Sequence, residues 1–114
     1  MTPKHVLVVD DDPLILEVVA RALEAADLHV SKARRVSIAR DLLARHSIDL
    51  ILADARIPGE AGLCLEEKAR ELGIAFILMT GDPEWVAARG IGPEQYLAKP
   101  FELRSLVRLV RASL

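Results

Sequence analysis

The sequence predicts an α/β fold: an open five-stranded parallel sheet, doubly wound as (βα)5, with helices on both faces. Three observations predict it. Short apolar runs alternate along the chain with segments of helical periodicity. Those runs are near-continuous rather than alternating, as strands are when both faces of their sheet are covered. Glycine, proline and acidic residues punctuate the junctions between them. Alternation of this kind gives parallel strands joined by crossover helices.

The elements follow in order. Residues 6–9, Val-Leu-Val-Val, form a first strand bounded by acids. Asp12 is placed to cap the next helix and Pro13 suits its first position. Leu14, Ile15, Val18, Val19, Ala22, Leu23 and Ala26 recur at helical spacing and mark one apolar face. Residues 28–31 are a weak second strand. A second helix follows, with Ile38, Ala39, Leu42 and Leu43 inward. Residues 49–54 are a clear third strand, and Pro58, Gly59 and Gly62 break the chain after it. Leu65, Ala69 and Leu72 mark a third helix that Gly73 stops. Residues 74–79 are the most apolar strand. Segment 81–95 carries Gly81, Pro83, Gly90, Gly92 and Pro93, and reads as a short helix over 83–89 with an irregular link after it. Residues 96–99 form the last strand, and Leu103, Leu106, Val107 and Val110 define a final helix. Residues 1–114 are read as one domain, without repeat, linker or low-complexity segment.

Composition excludes several classes. With 52% hydrophobic residues and a net charge of −2, from 15 basic and 17 acidic side chains, the chain has a core to bury and no disorder signature. The charge balance argues against direct nucleic-acid binding. The four aromatics, Phe76, Trp85, Tyr96 and Phe101, are too few and scattered for a base-stacking platform. One cysteine, Cys64, permits no intrachain disulfide, which fits a reduced, cytoplasmic setting. The longest apolar run has six residues, against roughly 18 for a membrane span. The amino-terminal residues lead into acids rather than a secretory signal.

Ligands of open parallel sheets bind beyond the carboxyl ends of the strands. Asp10, Asp11 and Asp12 follow the first strand, Asp54 ends the third, Thr80 the fourth and Lys99 the fifth. Two carboxylates about 5 Å apart at an effective dielectric of 20 repel by roughly 3 kcal/mol, so such a cluster requires a counter-ion. A hard divalent cation with oxygen ligands, Mg²⁺ above all, suits it. A carboxylate beside such an ion can act as a nucleophile toward phosphorus, and a nearby hydroxyl and ammonium stabilise the oxygens of the transferring group.

At these residues the chain resembles the receiver domains of two-component response regulators. The resemblance is carried by Val8-Val9-Asp10-Asp11-Asp12, by Asp54 within Asp49-Leu50-Ile51-Leu52-Ala53-Asp54, by Pro58-Gly59 with Gly62, by Met79-Thr80-Gly81 and by Lys99-Pro100-Phe101. It covers essentially the whole chain. The resemblance implies the flavodoxin-like strand order 2-1-3-4-5. It implies Asp54 as the phosphoacceptor and Asp11, Asp54 and the backbone carbonyl of Arg56 as ligands of Mg²⁺ (or Mn²⁺), with Asp10 acting mostly through water. It implies Thr80 as the switch hydroxyl, Lys99 as the partner of the phosphoryl group, Tyr96 as the switch aromatic, and a cis Lys99-Pro100 bond. The implied partners are a sensor histidine kinase or phosphotransfer protein, and a downstream protein or output domain. A homodimer is also allowed. Such a domain is no enzyme beyond its own phosphorylation and dephosphorylation.

The chain departs from the family in one stretch. Thr80 and Lys99 are 99 − 80 = 19 positions apart, a few short of the usual spacing, and Gly90-Ile91-Gly92-Pro93 replaces the familiar Gly-Ala. The fourth helix is therefore expected to be short or reshaped. Arg56 is expected to shield the phosphoryl group or to pair with an acid. Other residues read more plainly. Asp12 is a cap, and Cys64 a buried residue of the third helix. His5, His29 and His46 are surface residues without ligand spacing, and Arg104, Arg108 and Arg111 a solvated face. Two other functions stay open: a phosphorylation-independent interaction module, and a small metal-dependent phosphohydrolase.

Overall fold

In the computed structural model, which describes residues 3–57, 60–61 and 64–114, five strands lie parallel in one sheet. They are β1 (His5–Val9), β2 (His29–Ala33), β3 (Leu50–Asp54), β4 (Ala75–Thr80) and β5 (Tyr96–Ala98). Their order is β2-β1-β3-β4-β5, as the resemblance implied. The helices are α1 (Pro13–Ala25), α2 (Val36–Arg45), α3 (Cys64–Leu72), α4 (Pro83–Ala88) and α5 (Leu103–Ser113). A two-residue antiparallel ladder, Arg56–Ile57 with Glu60–Ala61, is an addition that no sequence pattern announced. The expected break at Pro58, Gly59 and Gly62 lies outside the described residues.

Side chains of a strand alternate between faces, so the unbroken apolar runs feed two cores. Val6, Val8, Leu50, Leu52, Ile77 and Met79 pack with Leu16, Val19 and Leu23 of α1 and Leu106 and Val110 of α5. Leu7, Val9, Ile51 and Ala53 pack on the other face with Val36, Ala39 and Leu43 of α2 and Leu65 and Ala69 of α3. The central strands β1 and β3 are buried from Val6 to Val9 and from Leu50 to Ala53, which fixes the sheet between its helical layers.

The periodic stripes sit slightly off the sequence-based assignment. On α1 the buried residues are Leu16, Val19, Ala20 and Leu23, while Leu14 is 68% exposed and Val18 is also exposed. Leu14 and Leu16 point about 200° apart on a helix of 3.6 residues per turn, so burying one exposes the other. Likewise Val36, Ala39 and Leu43 form the inner stripe of α2 and leave Ile38 exposed. Leu72 and Leu103, at the end of α3 and the start of α5, face solvent, and Cys64 is half-buried rather than buried.

The helix ends are built as the local chemistry dictates. The Asp12 carboxylate accepts the Leu14 N–H at 2.9 Å with Pro13 at the first position. The Asp82 carboxylate accepts the Trp85 N–H at 3.0 Å ahead of α4, again followed by proline. Helix α4 has six residues, matching the expected shortening. The chain then turns through Gly90, at a φ of +67°, which disfavours a side chain.

Candidate functional site

The carboxyl ends of β1, β3, β4 and β5 bring the predicted residues together. Parallel strands in register place Val9 beside Ala53 and Asp54 beside Met79, so Asp10 and Asp54 emerge at one level. Carboxylate oxygens of Asp10, Asp11 and Asp54 all lie within 4.8 Å of one another. The Lys99 ammonium donates to Asp10 Oδ2 at 3.1 Å and to Asp54 Oδ2 at 3.2 Å. The Lys99 N–H donates to the Thr80 carbonyl at 2.7 Å, which ties its backbone to β4. The Lys99–Pro100 bond is cis.

Burial differs sharply across the trio. Asp10 is fully buried (0% exposed), Asp54 and Asp11 half-buried. Asp10 Oδ1 accepts the Asp12 N–H at 2.9 Å, and Oδ2 takes the lysine, so both oxygens are satisfied. Its pKa is nevertheless raised. Desolvation is the first cause and the Asp54 charge adds to it, while the Asp12 N–H and Lys99 oppose. The Lys99 pKa is raised in turn. Desolvation pulls it down, but the Asp10 and Asp54 carboxylates together outweigh that, and the lysine stays charged.

Of the remaining predicted residues, Thr80 and Arg56 adjoin this centre through their backbones, and Tyr96 stands on β5, three residues before Lys99. Thr80 is 4% exposed and its hydroxyl oxygen accepts the Asp82 N–H at 3.1 Å. Tyr96 is half-buried at the start of β5, paired with Leu78 of β4. The Arg56 N–H donates to Asp54 Oδ1 at 3.1 Å, and the Arg56 guanidinium reaches Asp82 Oδ2 at 3.3 Å. Of the two expectations for Arg56, the ion pair is the one observed. Asp82 itself escaped the sequence reading, although Asp82-Pro83 repeats the Asp12-Pro13 capping signature. It joins three tasks: capping α4, fixing the Thr80 oxygen through its N–H, and holding Arg56.

The donor set fits a hard divalent cation. Every side-chain donor in the trio is a carboxylate oxygen, and three acids with one ammonium leave net negative charge. The mouth is polar and the walls behind it are apolar, since Val9, Ala53 and Met79 are fully buried.

A family model described as the response regulator receiver domain matches residues 6–111. The chain belongs to this family. Among relatives, the receiver is 34% identical over 119 residues to the response regulator protein PilR of Pseudomonas aeruginosa, covering 100% of this chain and 27% of that protein. It is 31% identical over 121 residues to the phosphate regulon transcriptional regulatory protein PhoB of the same organism, covering 100% of this chain and 53% of the other. The receiver thus spans between about a quarter and a half of these relatives. Among solved structures it matches the signal receiver domain of an HD domain-containing protein from Pseudomonas fluorescens Pf-5. That match has a TM-score of 0.87 at 28% identity, covering 100% of this chain and 88% of that one. The receiver domain of the TMAO respiratory system response regulator TorR matches with a TM-score of 0.83 at 31% identity, covering 96% of this chain and 95% of the other. No helix among the described residues is long and apolar enough to cross a membrane.

Proposed function

We infer that this receiver accepts a phosphoryl group on Asp54 from a sensor histidine kinase or phosphotransfer protein, and that the modification switches a partner-binding surface. The single observation carrying this reading is the Lys99 ammonium bonded to both Asp10 and Asp54 beside Asp11. Asp54 presents a half-buried carboxylate at the open end of the sheet, whose oxygen attacks phosphorus while the donor's P–N bond breaks and the imidazole leaves. Lys99 then follows the added charge of about −1.5 to −2 onto the phosphoryl oxygens. The Thr80 oxygen accepts from Asp82 and still has its own proton to give, so the hydroxyl can donate to the phosphoryl group without losing that bond. Tyr96 lies on the strand that carries Lys99 at its end and couples that movement to the surface of α4, β5 and α5.

Asp11, Asp54 and the Arg56 carbonyl would hold Mg²⁺ (or Mn²⁺), with Asp10 acting through water. When bound, the ion neutralises charge building on the transferring oxygens. The domain works in the cytoplasm, is no enzyme toward other substrates, and passes its state to a downstream protein or output domain.

The test is labelling by acetyl phosphate with Mg²⁺. Wild type should incorporate one phosphoryl group, and Asp54→Asn none. An unlabelled wild type, under conditions that label another receiver, would sink the reading. The six-residue α4 favours a second reading, a phosphorylation-independent interaction module, which that result would promote.

A further inference from the structure

The opposite edge of the sheet gathers all three histidines of the chain. His5 opens β1 and His29 opens β2, paired in register, while His46 ends α2. The His5 ring lies 4.3 Å from the His29 ring and 5.7 Å from the His46 ring, centroid to centroid. Asp49 anchors this corner: its carboxylate accepts the His5 N–H at 2.8 Å, and its own N–H donates to the His5 carbonyl at 2.8 Å. His5 Nε2 lies 2.7 Å from the Ser31 hydroxyl oxygen.

We propose that this edge is a second cation site, in which His5, His29 and His46 take a divalent transition-metal ion such as Zn²⁺. Imidazole nitrogen is a borderline ligand that suits zinc, nickel or copper, whereas the carboxylate trio at the other end suits magnesium. Two imidazoles on one tetrahedral ion, with metal–nitrogen bonds of about 2.0–2.1 Å, have ring centroids about 5 Å apart. The observed separations of 4.3 and 5.7 Å bracket that value. Ser31 supplies the outer partner that ligating histidines characteristically have. With Nε2–H donated to Ser31, the His5 Nδ1 lone pair is the one left for metal. The His5 ring is now tilted by 58° to each of the other two rather than converging with them on a point; among the described residues the acidic trio is the group of three whose donors already meet. His29 and His46 are exposed, so their side chains rotate toward His5 without disturbing the core. The His5 pKa is held below its ordinary value by burial first, then by the two neighbouring rings, against Asp49. A neutral imidazole is the form a metal needs. Five residues of β1 at about 3.3 Å each separate this corner from Asp10 by about 16 Å, so the two sites fill independently.

The experiment is calorimetric titration of ZnCl₂ into the whole chain in excess Mg²⁺, which keeps the acidic trio filled. Alongside it, the imidazole proton signals are followed by NMR. Saturable one-to-one binding is expected, with all three histidines shifting. His29→Ala and His46→Ala should each weaken zinc by about tenfold or more, and the double substitution should abolish it. Both positions are exposed, so the variants fold. Absence of zinc heat in excess Mg²⁺, an affinity unchanged in both variants, or unshifted histidine signals in wild type would each overturn the proposal.

Discussion

Lys99 and Asp54 stand 45 positions apart in the chain and meet in a 3.2 Å ion pair at the mouth of the sheet. The same ammonium also neutralises the buried Asp10. It therefore balances charge that the fold must tolerate whenever no cation is bound. Removing a partner from a buried pair costs more than the pair contributes, because a charge is left in low dielectric. We predict that Lys99→Met lowers the unfolding free energy in metal-free buffer by ~2 kcal/mol. Because excess negative charge then remains, added Mg²⁺ should recover more stability in the variant than in wild type. Urea unfolding followed by tryptophan fluorescence, with and without Mg²⁺, measures both.

Asp11 is half-buried beside two other carboxylates, and among the described residues no ion pair to it is observed. Neutralising it relieves repulsion and, on the proposed reading, removes a cation ligand as well. Asp11→Asn should raise metal-free stability by about 0.5–1 kcal/mol, the gain expected when a functional cluster is relaxed. It should also erase the rise in melting temperature expected when Mg²⁺ is added to wild type. A variant that is no more stable than wild type without metal, yet still responds to Mg²⁺, would contradict the charge argument.

The fold was legible because its apolar runs are unbroken. Val6-Leu7-Val8-Val9 and Leu50-Ile51-Leu52-Ala53 admit burial on both faces and little else. The acids and Lys99 were legible because each stands at the end of such a run. Helix faces were less so: on α1 both Leu14 and Leu16 are apolar, and only packing against β1 and α5 decides which is buried. The histidine corner was invisible for a different reason. His5, His29 and His46 have no ligand spacing along the chain, and only strand pairing makes neighbours of them. The capping signature of Asp82 lies in the sequence, but its tie to Arg56 does not, because the two are 26 positions apart and only the pairing of β3 with β4 brings their segments together.

Asp82 and Arg56 allow capping and ion pairing to be separated. Their pair is solvent-exposed, and such pairs contribute about 0–1 kcal/mol. The cap is worth about 1 kcal/mol by itself. Asp82→Ala should therefore destabilise by more than Arg56→Ala, with a coupling energy in the double-mutant cycle below about 0.5 kcal/mol. The coupling should vanish at about 1 M salt, where the screening length falls to about 3 Å. A coupling that survives such salt would show that the guanidinium does more there than pair with one carboxylate.

The histidine corner sets the last expectation, for pH. Burial chiefly, and the His29 and His46 rings after it, lower the His5 pKa from 6.5, with Asp49 opposing. The neutral ring is thus favoured in the fold. Between the lowered value and 6.5 the unfolded chain binds more protons than the native one, so stability rises with pH across that window. The contribution is fully present above 6.5 and is lost as pH falls through the folded value. His5→Gln removes this titration and keeps a polar group able to bond Ser31. In chelator-treated buffer its unfolding free energy should therefore fall less steeply than that of wild type as the solution is acidified from pH 7. Parallel slopes for the two proteins would mean that the acid sensitivity belongs to other groups.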